Sequence, residues 1–225
     1  MATFCQKSFK LKAIRGTLLD TCGGVVHGAS STVVSKGLTK VTLTPVYESP
    51  TDYLVRNGND ELEVNEQGTP LLRWWQAVVD FVNVDPYWVN MALGWPLLTD
   101  ESGNVTGWVS DEGVTSCFAL EGWQDLASQA CSVGSKLYGY RLMPWLLNAQ
   151  INGDVVMENG VTSFSIQAHT HNASPWGVGP YNVRLNSINS TPGPLKTAIS
   201  AVRHFVFDTT TLAPPTAQCG AINLP

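Results

Sequence analysis

The chain has 225 residues, of which 44% are hydrophobic and only 14% charged, with a formal net charge of −5. That length fits one large all-β domain or two small ones with a sizeable core, and so low a charged fraction points to surface buried against other subunits. No run approaches the roughly 18 apolar residues of a membrane span, and the opening MATFCQKSFKLK has no apolar signal-peptide core; the five cysteines are scattered without a C-x-x-C pair, against a zinc or redox motif and in favour of free thiols.

From the N-terminus, FKLKAIRGTLLD places Phe9, Leu11 and Ala13 on one face and Lys10 and Lys12 on the other, the period-two pattern of a half-buried strand. CGGVVHG reads as a turn or a short strand between turns. STVVSKGLTKVTLTPVYE gives a second long strand region, bulged or broken at Gly37. DYLVRNGNDELEVNEQGTP predicts a strand, a turn at Asn57-Gly58 and another strand, an exposed hairpin rich in acids and poor in large apolar groups. LLRWWQAVVDFV, from Leu71 to Val82, is apolar on both faces apart from Arg73, Gln76 and Asp80, which suits a central strand.

DPYWVNMALGWP changes period. Asp85 suits an N-cap, Pro86 the first helical position, Gly94 the C′ residue and Pro96 a stop, so the spacing predicts one short helix over 86–93. DESGNVTGW then reads as a turn entering a strand, TSCFALEGW as a strand and QDLASQACSVGS as a loop. KLYGYRLMPWLLNAQI and DVVMENGVTSFSIQAHT read as long strands with turns at Asn152-Gly153 and Asn159-Gly160, and AISAVRHFVFDT as the last strand. From about residue 209 the chain, with Pro214-Pro215, loses periodicity and reads as an extended arm outside the core. No internal repeat or linker appears. The expectation is one mainly β domain, a sandwich or barrel with a single helix, its core over about 8–208 and an N-terminal arm over 1–7.

Charge is unevenly spread. Residues 1–47 carry Lys7, Lys10, Lys12, Arg15, Lys36 and Lys40 against Asp20, a net of +5, residues 48–112 carry a net of −10, and residues 113–225 balance. Either the middle is a solvated acidic region or copies of the chain attract one another head to tail. The basic residues near the N-terminus alternate with apolar ones and the sequence pI is about 5.3, so a nucleic-acid-binding patch is not expected.

His169 and His171 fall on one face of a strand. A zinc site needs three or four ligands; no third lies nearby in sequence, and His27 and His204 are distant along the chain. The sequence also lacks G-x-S-x-G, H-E-x-x-H and the P-loop pattern. No catalytic, cofactor-binding or metal-binding residue is therefore expected. Of the eight tryptophans, Trp88, Trp145 and one of Trp74 and Trp75 read as core, while the other of that pair must face a second layer or a neighbouring subunit.

Two stretches carry a family resemblance. MPWLLNAQINGDVVMENGVTSFSIQAHTHNASPWGVGPYNV, from Met143 to Val183, has Pro-Trp before a strand, Gly-Asp after a turn, Glu-Asn-Gly, and Trp-Gly-x-Gly-Pro-Tyr; NVDPYWVNMALGWPLLTDESGNVTGW has the Asp-Pro helix start and the Gly-x-Pro ending. Together with IRGTLLDTCGGVV and VTLTPVYES, they resemble the major tail tube proteins of long-tailed bacteriophages of actinobacterial hosts, over roughly residues 12–210. The resemblance implies a β-sandwich or barrel with one helix, six copies of which form a ring. Strands of the ring join around a lumen that passes viral DNA without specific binding, and rings stack through a long loop and terminal arms.

It further implies a non-enzymatic protein of the virion tail, assembled in the host cytoplasm without a cofactor or membrane insertion. Its partners would be further copies of itself, a tape-measure protein, a tail terminator and a distal tail or baseplate protein. Asp85, Pro86, Gly94, Trp145, Trp176, Gly177, Gly179, Pro180 and Tyr181 would be structural or assembly positions, and Glu48 to Gly68 the stacking loop. The alternatives are another virion ring protein (a tail terminator, completion or head decoration protein), a β-sandwich carbohydrate-binding module with exposed tryptophans, or a zinc enzyme using His169 and His171.

Overall fold

The computed structural model describes residues 8–82, 84–112, 116–126, 136–155, 159, 163–186 and 188–225. In chain order the elements are β1 (Ser8–Leu19), β2 (Gly28–Ser35), β3 (Leu38–Glu48), β4 (Tyr53–Arg56), β5 (Leu62–Glu66), β6 (Leu71–Phe81), α1 (Pro86–Leu93), β7 (Leu97–Thr99), β8 (Val105–Trp108), β9 (Cys117–Leu126), β10 (Tyr138–Ile151), β11 (Phe164–Thr170), β12 (Arg184–Leu185), β13 (Pro192–Gly193), β14 (Val206–Thr210) and β15 (Ala221–Leu224). The protein is mainly β, with one short helix and antiparallel sheets. The main sheet runs β15-β2-β1-β9-β10-β11-β6-β3, with β14 attached to β10, and β4–β5, β7–β8 and β12–β13 form separate hairpins.

The sheet is rolled, and the connection between β2 and β3 requires it. These strands stand six places apart in the sheet order, which in a flat sheet would separate them by roughly 29 Å. Only Lys36 and Gly37 join them, and so short a link spans about 11 Å at most. Gly37 is thus the break that the sequence suggests. Its N–H donates to the Ser35 hydroxyl, and its carbonyl accepts from Val82 N at the far end of β6.

Two apolar layers result. The first lies inside the roll, where α1 buries Trp88, Val89, Met91, Ala92 and Leu93 against Ile14, Val79, Phe81, Leu120 and Ile166. Gly16 of β1 lets the helix approach: a Cβ there would lie 2.0 Å from Met91 Cε and 2.5 Å from the Trp88 ring. The second layer covers the opposite face of β1, β9 and β10 with residues from the 171–200 segment, which bury Trp176, Val183, Leu195 and Ile199 against Trp123, Tyr140, Leu142 and Trp145.

The helix ends follow the sequence reading. Asp85 Oδ1 accepts from Tyr87 N at 3.0 Å, Pro86 opens the helix, and Gly94 closes it in the left-handed conformation at φ 72°. Other expectations need correction. β6 is not central but second from the sheet edge, and Leu71 and Leu72 are exposed at its start. The strand covered on both faces is β9, which continues through Gln124 to Leu126, residues expected in a loop. The last expected strand shortens to Val206–Thr210, because β10 forks: Tyr138–Leu142 pair with β14 and Leu146–Ile151 with β11, on the same side. Pro144, which has no N–H to give a ladder, lies between the two halves.

The C-terminal tail is also not wholly an arm. It returns as β15 to pair with β2, and Leu224 is buried. Of DVVMENGVTSFSIQAHT, Phe164–Thr170 is strand. Gly153 takes φ 85° in the expected turn, whereas Gly160 of the Asn159-Gly160 turn and the arm over 1–7 lie outside the described residues.

Candidate assembly surface

The histidines separate rather than converge. His169 stacks on Trp74 with ring centroids 5.3 Å apart, and His171 lies 4.4 Å from the Trp145 ring with Nδ1 at the Asn172 carbonyl. The fork in β10 brings in a third, His204, whose Nδ1 is 3.0 Å from Thr170 Oγ1; sequence distance had hidden this neighbour. Burial holds His204 below its ordinary pKa, helped by the charge of His171 and opposed by the bond to Thr170. Among the described residues no three His, Cys, Asp or Glu side chains are grouped to hold a metal ion. Cys22, Cys117 and Cys219 are free thiols, and Cys5 and Cys131 lie outside the described residues.

The Trp-Gly-x-Gly-Pro-Tyr segment forms a fixed cap on the second apolar layer. Trp176 is buried, Gly177 and Gly179 have φ 59° and 81°, and a Cβ at Gly179 would lie 2.6 Å from Trp176 Nε1. Gly177 O accepts from Ile199 N, and Val178 O accepts from Leu195 N, which ties the cap to the following segment. After Pro180, Tyr181 reaches the sheet, its hydroxyl 2.7 Å from Thr17 Oγ1 and 2.8 Å from Thr32 Oγ1. Beneath its ring, 3.3 Å from the centroid, lies the Arg15 guanidinium.

Arg15 is buried in a two-bond pair with Glu121, Nε to Oε2 at 2.6 Å and Nη2 to Oε1 at 2.7 Å. Tyr140 donates its hydroxyl to the same carboxylate at 2.6 Å. Burial, then the Glu121 charge, pushes the Tyr140 phenol well above its ordinary pKa, so Tyr140 stays a neutral donor. Lys12 is paired as well, with Asp125 at 3.0 Å, where Lys136 also binds. Two cations of the basic N-terminal segment are thus neutralised within the chain. Trp74 and Trp75 also find partners internally. Trp74 lies between His169 and Arg73, 4.4 Å from the Arg73 guanidinium, and Trp75 meets Phe205 edge-on at 5.0 Å.

The β4–β5 hairpin is without cover. It projects between β3 and β6, whose last pair is Glu48 with Leu71. The neck is held by Gly68 N donating to Asp52 Oδ1 at 3.1 Å. At the tip Asn57 Oδ1 accepts from Asn59 N and Glu61 N, and Asp60, not Gly58, takes the left-handed conformation at φ 64°. Contrary to the expectation of few large apolar groups, the pairs Val55–Val64 and Tyr53–Glu66 set Tyr53, Val55 and Val64 on one face, while a bulge pairs Leu62 with Arg56 on the other, and every residue of both strands is exposed. Tyr53 is 62% and Val55 50% exposed. A lone two-stranded hairpin is at best marginally stable in water, and an apolar face on one calls for a covering surface.

The β3–β6–β11 part of the sheet has a second distinctive surface. Its face turned from the helix carries Thr42, Thr44, Gln76, Gln167 and Ser165, with Lys40 directly opposite Asp80. Gln76 donates to Gln167 at 2.8 Å, and Ser165 donates to Asp80 at 2.7 Å. The surface is therefore rich in hydroxyl and amide groups around Val78, with Lys40 facing Asp80.

These features belong to a mainly β protein with an exposed apolar hairpin and an open sheet edge at β3. No family model matches the chain, and no curated protein sequence matches it. Among the described residues no helix is long and apolar enough to cross a membrane.

Proposed function

We propose that the chain is the structural subunit of a phage tail tube, forming hexameric rings that stack into a conduit for viral DNA, and that it catalyses no reaction. The observation that carries this reading is the projecting β4–β5 hairpin with its apolar face in water, at the position where the sequence resemblance places the stacking loop. β3 adds support, since among the described residues it pairs only with β6 and offers an open edge for a neighbour's strand. So does the hydroxyl- and amide-rich face of β3, β6 and β11, where Lys40 stands opposite Asp80 and over which a phosphate backbone can pass without being held. In this role the tube would meet a tape-measure protein, a terminator and a distal tail protein, and reside in the virion.

Electron microscopy of the purified full-length protein tests the proposal. Open-ended tubes of six-fold rings are expected at high protein concentration. Monomers at every concentration would overturn it, and single closed rings that never stack would replace it with a terminator-type ring protein.

A further inference from the structure

The hairpin needs a receiving surface, and the chain contains one suited to it. A groove of about 790 Å³ lies between the β12–β13 hairpin and β14, with Leu137, Leu185, Ile188 and Leu195 on its walls and Arg184 and Lys196 at its margin. A neighbouring hollow shares Arg184, Leu195 and Lys196 and extends the groove to Arg203 and Phe205. Ile188 is 93% exposed, more than any other large apolar side chain described.

The charges fit as well. Arg184 is paired with Asp208 at 3.3 Å, whereas Lys196 and Arg203 are exposed and have no ion-pair partner among the described residues. The groove therefore presents two open positive charges. Residues 48–68 carry Glu48, Asp52, Asp60, Glu61, Glu63 and Glu66 against Arg56 alone, a net of −5. Arg56 is taken up by Asp60 at 3.3 Å, while Glu66 borders the apolar face beside Tyr53 and Glu63 stands on the opposite face.

We infer that the β4–β5 hairpin of one copy docks in the groove between β12–β13 and β14 of another, with Lys196 and Arg203 meeting the hairpin's acids; this rests on the tube-subunit reading. A hairpin-to-hairpin dimer is disfavoured, because it would bring two segments of net −5 together. A hairpin in a groove joins two different patches of the same chain. Such a contact is heterologous and propagates into rings or open polymers rather than stopping at a dimer.

A charge exchange on the full-length protein, read by sedimentation and electron microscopy, tests the docking. Lys196→Glu with Arg203→Glu should raise the concentration needed for polymerisation at least about tenfold, as should Glu63→Lys with Glu66→Lys. Combining all four should return it to within about threefold of the unsubstituted protein. Circular dichroism and thermal melting check that each variant folds; all four side chains are exposed, so wild-type melting is expected. Unimpaired polymerisation by the groove variant, or folded variants whose combination regains nothing, would overturn the docking while leaving the tube reading in place. Failure of the unsubstituted protein to polymerise would overturn both.

Discussion

At the scale of single residues, Asp85 does more than the sequence disclosed. As an N-cap it was legible from the Asp-Pro pair, since a carboxylate before a helical proline is placed to accept from the first free N–H groups. Its second oxygen accepts from Gly220 N at 2.6 Å, 135 residues away, and so clasps the C-terminal strand to the helix start. Asp85→Ala should lose the cap, about 1 kcal/mol, and a charge-assisted bond of about the same order. Urea unfolding is expected to show a loss of about 2 kcal/mol, with increased proteolysis after residue 211; a loss near 1 kcal/mol with an intact tail would mean that the clasp is not formed in solution. Arg15 and Glu121 are the opposite case. Each sits in a strand with unremarkable neighbours, and only the pairing of β1 with β9 sets them opposite one another. Burying such a pair gives little net stability, whereas leaving either charge alone in that layer is costly, so the pair fixes β1, β9, β10 and Tyr181 in one arrangement.

At the scale of elements, what the sequence made legible was local. The helix limits, the hairpin over 53–66 and the rigid Trp-Gly-x-Gly-Pro-Tyr turn all follow from capping residues, alternation and glycines at positive φ. The position of β6, the fork in β10 and the return of the tail as β15 depend on partners far along the chain. Hydrophobicity misled for β6: Trp74 and Trp75 are covered by single side chains, His169 of neighbouring β11, Arg73 of β6 itself and Phe205, and not by a central place in the sheet. The β4–β5 hairpin was legible in place and turn but not in character, because its acids drew attention from Tyr53, Val55, Leu62 and Val64. Since those side chains touch no core, Val55→Ser with Val64→Ser should leave thermal unfolding of the dilute subunit unchanged within about 0.5 kcal/mol. The same pair should abolish polymerisation at concentrations where the unsubstituted chain assembles. A large drop in melting temperature would show instead that the hairpin folds back onto its own subunit.

At the scale of the whole molecule, the uneven charge of the sequence takes on a narrower meaning. Two cations of the basic segment over 1–47 are taken up within the chain, Arg15 buried on Glu121 and Lys12 paired with Asp125. The acidic hairpin remains fully exposed, and the open cations nearest an apolar groove are Lys196 and Arg203. If the hairpin docks as proposed, attraction between copies has two parts that respond differently to salt. Exposed ion pairs contribute at most about 1 kcal/mol each and are screened as the Debye length falls from roughly 10 Å at 0.1 M to about 3 Å at 1 M. Burial of hairpin side chains contributes about 1.5–3 kcal/mol for each one fully covered and is not screened. Raising NaCl from about 0.05 to about 1 M should therefore increase the critical concentration for tube growth several-fold, as read by pelleting, while tubes persist. Complete dissolution at molar salt would mean that the apolar face is not part of the contact, and a critical concentration indifferent to salt would remove the charges from it.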